Sequence, residues 1–244
     1  MSVSERTHPL SDIHADVWQA HALATAPVRV QATGNAALDA QLPGGGWPVG
    51  GMTEVLQTDG VHCEWRLLLP ALARCGQGPV VLVGAPFVPF APALAAQGLA
   101  VQRLLWMAAQ TLAQRLWAAE QALRCAKVDA VLAWLPAGRA DTVRTDQLRR
   151  LQMAASGYNK LLFVMRPAAA WADASPAVLR LQVGVDSQRA DALEVQLLKR
   201  RGPPCDQPLT LQACSAQLSM LLAVHGQPLV RPRDALDRTA ARAA

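Results

Sequence analysis

From Met52 onward the chain reads as short apolar runs separated by amphipathic stretches. Met52–Gln57, Val80–Gly84, Arg103–Met107, Ala130–Leu135 and Leu161–Met165 carry three to six apolar residues with little internal alternation, the pattern of strands buried on both faces. Between them, His62–Cys75, Ala91–Gln97, Thr111–Cys125 and Thr142–Ser156 place their apolar residues at helical spacing. Alternating strands and helices predict a mostly parallel α/β sheet flanked by helices. Pro70 should kink or shorten the first of these helices, because it has no N–H to donate. Later the period falls to two: Val178–Val185 and Leu193–Leu198, around a polar turn, predict an antiparallel hairpin added at one edge of the sheet.

The ends of the chain read differently. In Ser11–Leu23, Ile13, Val17, Ala20 and the following Ala24 recur at helical spacing, with Ser11 or Asp12 able to cap the helix. A short extended piece, Val28–Gln31, follows, and the Gly/Pro-rich stretch Pro43–Gly51 is expected to be a loop. The expected organisation is an N-terminal helix and arm over residues 1–31, an α/β core over 32–213 and a basic tail over 214–244. Arg231–Arg242 in that tail suits a partner-binding segment as well as plain disorder.

Composition narrows the class. With 244 residues, 52% of them hydrophobic, the chain can bury one sizeable core or two small ones. No apolar run approaches the roughly 18 residues of a membrane helix, and MSVSERTHPLSD has no apolar segment of the signal-peptide kind, so a cytoplasmic protein away from membranes is expected. Five cysteines share no C-x-x-C spacing and suggest neither a disulfide framework nor a zinc site. The five histidines lack metal-ligand spacing. A net charge of +5, carried by 20 Arg and 3 Lys, permits weak nucleic-acid contact without demanding it.

Candidate chemistry centres on EVLQTDGVHCEWRLLL, Glu54–Leu69, a strand, turn and helix in the position where a phosphate-binding loop would stand. Such a loop needs G-x-x-x-x-G-K-[ST]: glycines for close backbone approach, a Lys for the β/γ oxygens and a hydroxyl for Mg²⁺. Only Gly60 remains in this turn.

Thr33-Gly34, Leu38-Asp39, Leu42, Gly45-Gly46, Pro48, Gly50 and Glu54 resemble, without a gap, the lead-in T-G-x-x-x-L-D-x-x-L-x-x-G-G-x-P-x-G-x-x-x-E of the RecA nucleotide-binding core. The likeness continues through Leu82–Leu105, Asp129–Leu135 and Leu161–Pro167. LDAQLPGGGWP, LRRLQMAASG followed by LLFVMRP, and LLKRRGPP are similar to the ImuA family, which is associated with damage-induced mutagenesis. The resemblance covers about Val28–Leu211. It implies a RecA-like core with a C-terminal hairpin and an N-terminal helix–strand arm.

Placed on that pattern, the phosphate-loop Lys position falls on Cys63 and the hydroxyl position on Glu64, with Trp65 next. The residue that activates water falls on Pro86, the metal-holding Asp on Trp134, and the polar sensor on Pro167. Phosphoryl transfer relies on such groups for charge neutralisation, and losing one donor typically costs about 10² to 10³ in rate. The expectation is therefore no ATPase and no cofactor. Trp65 and Trp134 either fill the vacated cleft as core or offer a stacking surface.

The two loops that contact DNA in RecA shrink here to Pro136–Arg144 and Ala168–Pro176. Arg139 and Arg144 could touch phosphate, but Asp141 and Asp146 interleave with them, and a solvated helix start reads better. Lys199-Arg200-Arg201 is the densest basic cluster, either a charged guard at the end of an edge strand or a partner or DNA surface. The resemblance implies a non-catalytic adaptor in translesion synthesis within the SOS response, with ImuB, RecA and an error-prone C-family polymerase as partners and Ile13, Val17 and Trp18 on a docking arm. The alternative is a cell-division inhibitor of the SulA type that binds the tubulin-like septation protein. RLLLPALARCG, Trp134-Leu135 and Phe163–Pro167 resemble that family.

Overall fold

The computed structural model describes residues 29–212 apart from 59, 137–141, 187–188, 190–191 and 206. Arg139, the expected helix with Ile13, Val17 and Trp18, and the basic tail lie outside the described residues.

The chain enters through β1 (Val30–Gln31), which pairs antiparallel with β2 (Trp47–Pro48) across α1 (Ala36–Asp39). The last residues of the expected arm are thus pinned to the same chain, and the expected loop Pro43–Gly51 contains a strand. An eight-stranded sheet follows. Its elements are β3 (Met52–Gln57), α2 (Glu64–Leu72), β4 (Val80–Val83), α3 (Ala91–Ala96), β5 (Leu104–Met107) and α4 (Leu112–Arg124). β6 (Ala130–Trp134), α5 (Thr145–Tyr158), β7 (Leu161–Pro167), β8 (Leu179–Val185), β9 (Ala192–Lys199) and β10 (Leu209–Gln212) complete it. The order is β10-β9-β8-β3-β7-β6-β4-β5, parallel from β8 to β5 and antiparallel from β8 to β10.

Both faces are covered, which is why the central strands read as continuous apolar runs. Leu38 of α1, Leu67–Leu69 and Leu72 of α2, Leu94 of α3 and the fully buried Trp47 pack on one face. Ala118, Ala119 and Leu123 of α4 with Leu148, Leu151 and Ala155 of α5 pack on the other. Alanine on the inner side of α4 and α5 lets the helices sit close to the sheet. A Thr111–Gln114 capping box starts α4, and Asn159, left-handed at φ 51°, ends α5. α2 stops at Leu72, three residues short of the expected Cys75, with Pro70 in its last turn.

The hairpin is present, but β9 is not an edge strand. β10, which the sequence pattern did not predict, pairs with Ala192–Val195. Its four residues, LTLQ, are too few to show a period.

The lead-in residues build the scaffold. The Thr33 N–H donates to Asp39 Oδ1 at 2.8 Å, and Asn35 caps α1 through its side-chain oxygen. A Cβ at Gly46 would lie 2.4 Å from the Gln31 carbonyl oxygen, so only glycine lets β1 and β2 meet. Glu54 is fully buried in β3. Its Oε1 accepts from Arg166 Nη1 of β7 at 2.8 Å, and its Oε2 lies 2.5 Å from Arg180 Nε of β8. Arg166 also donates to Asp173 at 2.6 Å, and Arg180 reaches the carbonyls of Ala170, Trp171 and Asp173. One carboxylate thereby ties the central strand to both of its neighbours.

Candidate functional site

In an open parallel sheet, ligands bind beyond the carboxyl ends of the strands. Here the ends of β3, β4, β6 and β7 enclose a cleft of about 190 Å³, walled by Thr58, His62, Pro86, Arg115, Trp134 and Pro167. That is below the roughly 300 Å³ at which small-molecule pockets begin. Of the five positions that the resemblance aligned with nucleotide chemistry, Pro86, Trp134 and Pro167 line this cleft, and Cys63 and Glu64 stand where the turn enters α2.

Each position that the resemblance would give to phosphate holds something else. Gly60 keeps a positive φ of 76° with open space where a Cβ would go, so it serves the turn rather than a close approach. Cys63 precedes α2 as a buried thiol. Burial pushes its pKa up to about 11, against a lowering by Arg66 and with a smaller rise from Glu64, so a neutral group stands where a cation would be required.

Glu64, in the first turn of α2, is 3% exposed. Its Oε2 accepts from Gln57 Nε2 at 3.0 Å, and His62 Nδ1 lies 3.7 Å from Oε1. The His62 ring in turn meets Phe87 edge-on at 4.9 Å. A helix N-terminus attracts an anion, and here the chain places its own carboxylate there.

Trp134 is buried in the core at the end of β6, with its indole N–H unpaired among the described residues. Of the two readings for the tryptophans, filling by core fits Trp134, and Trp65 packs half-buried against the same cluster. Arg115 of α4 had no signal in the sequence. It donates through Nη1 to the Trp134 carbonyl at 2.9 Å and through Nε to the Ala109 carbonyl at 3.0 Å, bracing the cleft wall.

The basic residues separate into distinct environments. Arg144 caps α5 and pairs with Asp146 at 3.0 Å, both well exposed. The hydrogen bond from Arg144 holds the Asp146 carboxyl below its ordinary value, and the same contact raises Arg144. A solvated helix start describes this pair.

β10 pairs only with Ala192–Val195, so Lys199 ends β9 beyond the stretch that β10 covers. Lys199 donates to the Ser175 carbonyl at 3.0 Å. Arg200 donates to the carbonyls of Pro203 and Gln41, bridging the hairpin to the segment after α1. Arg201 is exposed and forms no hydrogen bond or ion pair among the described residues. Arg200 and Arg201 line a second cavity, of about 180 Å³, at the amino end of β3, the opposite end of that strand from the first cleft.

Among the described residues, no three His, Cys, Asp or Glu side chains gather closely enough to hold a metal ion. None of the helices described there is long and apolar enough to cross a membrane. No protein-family model matches the chain, and no curated protein matches it significantly.

Proposed function

We propose that the chain is a non-catalytic adaptor with a RecA-like core, acting by protein–protein contacts in damage-induced translesion synthesis. The observation that carries this reading is the cleft at the carboxyl ends of β3, β4, β6 and β7. Its volume is about 190 Å³, and the helix N-terminus beside it is occupied by Glu64 held on Gln57. Cys63, Pro86, Trp134 and Pro167 offer neither the cation, the base, the metal-holding carboxylate nor the polar sensor that phosphoryl transfer needs. A parallel sheet with β3 between its neighbours, leading into the turn and α2, supports the RecA-like assignment. Residues shared with RecA in the lead-in hold the scaffold together, while positions that would perform chemistry have changed. That division fits a protein used for its surface.

The placement of the resembling phrases separates the two adaptor readings. RLLLPALARCG supplies Leu67, Leu68, Leu69, Ala71 and Leu72 to the core, and Phe163–Met165 is buried as well, so the likeness to the division inhibitor lies in packing. By contrast, all three phrases similar to ImuA reach the surface around the second cavity. ImuB, RecA and an error-prone C-family polymerase are the partners proposed on this basis, with a weak DNA contact at most.

The test is deletion of the gene, followed by measurement of ultraviolet-induced mutation frequency, with calorimetric titration of Mg²⁺-ATP into the purified chain. The expected results are a fall in induced mutation and no saturable nucleotide binding. Unchanged mutation frequency with cell filamentation on overexpression would favour the division inhibitor, and tight Mg²⁺-ATP binding would overturn both.

A further inference from the structure

The three phrases of the sequence that the cleft leaves without a role converge on one place. Pro43, Gly46 and Pro48 come from the glycine-rich segment around β2, Gln152 and Ser156 from α5, and Arg200 and Arg201 from the end of β9. They come from three separate segments between Pro43 and Arg201 and wall the same cavity of about 180 Å³. Packing holds the walls: the Met52 N–H donates to Gln152 Oε1 at 2.6 Å, and Gly50 lies against Ser156 and Asn159. The rim is therefore a formed feature of the fold.

Its chemistry is lopsided. Val49, Val178, Leu179 and two prolines make the floor apolar, two arginines stand over it, and no carboxylate lines it. Arg200 is committed through Nε and Nη1 to carbonyls, which fixes its guanidinium, while Arg201 is unengaged among the described residues. A fixed arginine beside an unengaged one, over an apolar floor, suits a carboxylate carried next to an apolar side chain.

We propose that this cavity is the docking site for a partner-protein segment in which an Asp or Glu, or a chain-terminal carboxylate, adjoins an apolar residue. It rests on the adaptor reading for the class of ligand, a protein. The dimensions agree: the cavity is smaller than the roughly 300 Å³ at which whole small-molecule ligands begin, and has room for one or two side chains. Nucleic acid fits it poorly. Single strands are held by stacking on aromatic side chains along a basic track, and no aromatic residue lines this cavity.

The experiment pans random twelve-residue peptides displayed on phage against the full chain. Selected peptides are then titrated by fluorescence anisotropy against the wild type, Arg201→Gln, Ser156→Glu and Lys199→Ala. Ser156 is exposed on the last turn of α5, so Ser156→Glu adds a repelling carboxylate at the rim without removing a structural contact. The expected result is enrichment of a carboxylate beside an apolar residue, with affinity reduced about tenfold in Arg201→Gln and Ser156→Glu and unchanged in Lys199→Ala. Selected peptides without an acidic residue, or binding untouched by both rim variants, would overturn the proposal. So would displacement of the peptides by a twenty-nucleotide single strand that binds more tightly than they do and is weakened by the same two variants. Mutation frequency in the deletion strain reads the adaptor function alone, and the panning reads the cavity alone, so either can fail without the other.

Discussion

Replacing Glu54 with Gln should be the most damaging conservative change in the described core. The substitution keeps the shape of the side chain and removes one charge. In the native fold Glu54 is fully buried between Arg166 and Arg180, whose side chains are 2% and 10% exposed. Without the carboxylate, Arg166 keeps Asp173 and Arg180 keeps three carbonyl acceptors, so neither cation is wholly abandoned. The loss should then lie near the lower end of the roughly 3–5 kcal/mol that follows removal of one partner from a buried pair. With a slope of about 2 kcal/mol per molar urea, a loss of about 3 kcal/mol moves the unfolding midpoint down by about 1.5 M. Urea titration followed by far-ultraviolet circular dichroism reads this directly. The triple variant Glu54→Met/Arg166→Met/Arg180→Met removes every charge of the cluster's interior and should recover most of the loss, since replacing a buried ionic cluster by packed apolar residues is often neutral. A midpoint shift under about 0.5 M for Glu54→Gln, or a triple variant less stable than the single one, would refute an uncompensated buried charge as the cause.

Cys63 should resist a thiol reagent such as dithionitrobenzoate at pH 8, because burial holds it neutral up to about 11, whereas the exposed Cys125 should react within minutes; rapid labelling of Cys63 in the folded chain, read by mass spectrometry, would contradict the buried turn. Gly46→Ala should lower stability by about 1–3 kcal/mol through overpacking, because its Cβ would meet the Gln31 carbonyl, and the urea midpoint measures it. Asp146 should titrate below its ordinary 3.8 by carboxyl-carbon NMR, since Arg144 donates a hydrogen bond to the ionised form. Its pKa is lower folded than unfolded, so the pair's contribution is present above the unfolded value and disappears as pH falls through the folded one. Arg144→Ala should return the midpoint toward 3.8. Changing Cys63→Lys together with Glu64→Thr should not confer Mg²⁺-ATP binding in calorimetry, because Trp134 still walls the cleft from within the core.

Much of the fold was legible because both faces of the sheet are covered. Burial on two sides leaves an uninterrupted apolar run, and a run such as Val80–Val83 can be read without knowing its neighbours. Helix ends were less legible, since they depend on caps and breakers: Arg144 starts α5 later than its apolar spacing suggested, and α2 stops short of Cys75. β10 was missed because a four-residue edge strand owes its existence to the backbone groups of β9. The Glu54–Arg166–Arg180 cluster left a trace in the sequence, one charge inside each of three otherwise apolar runs, but only strand order makes those charges neighbours.

By itself the sequence determined the alternation of strands and helices, the hairpin, and the absence of a lysine and a hydroxyl after Gly60, because each is a property of residues close together in the chain. The tertiary structure decided what the residues after Gly60 and at the end of β6 do: Glu64 turned inward onto Gln57, and Trp134 pressed into the core. It also decided that Arg200 and Arg201 share a cavity with the glycine-rich segment and the end of α5. The physical reason is that burial periodicity is set locally, whereas the pairing of charges and the walls of a cavity depend on which distant segments the sheet order brings within reach.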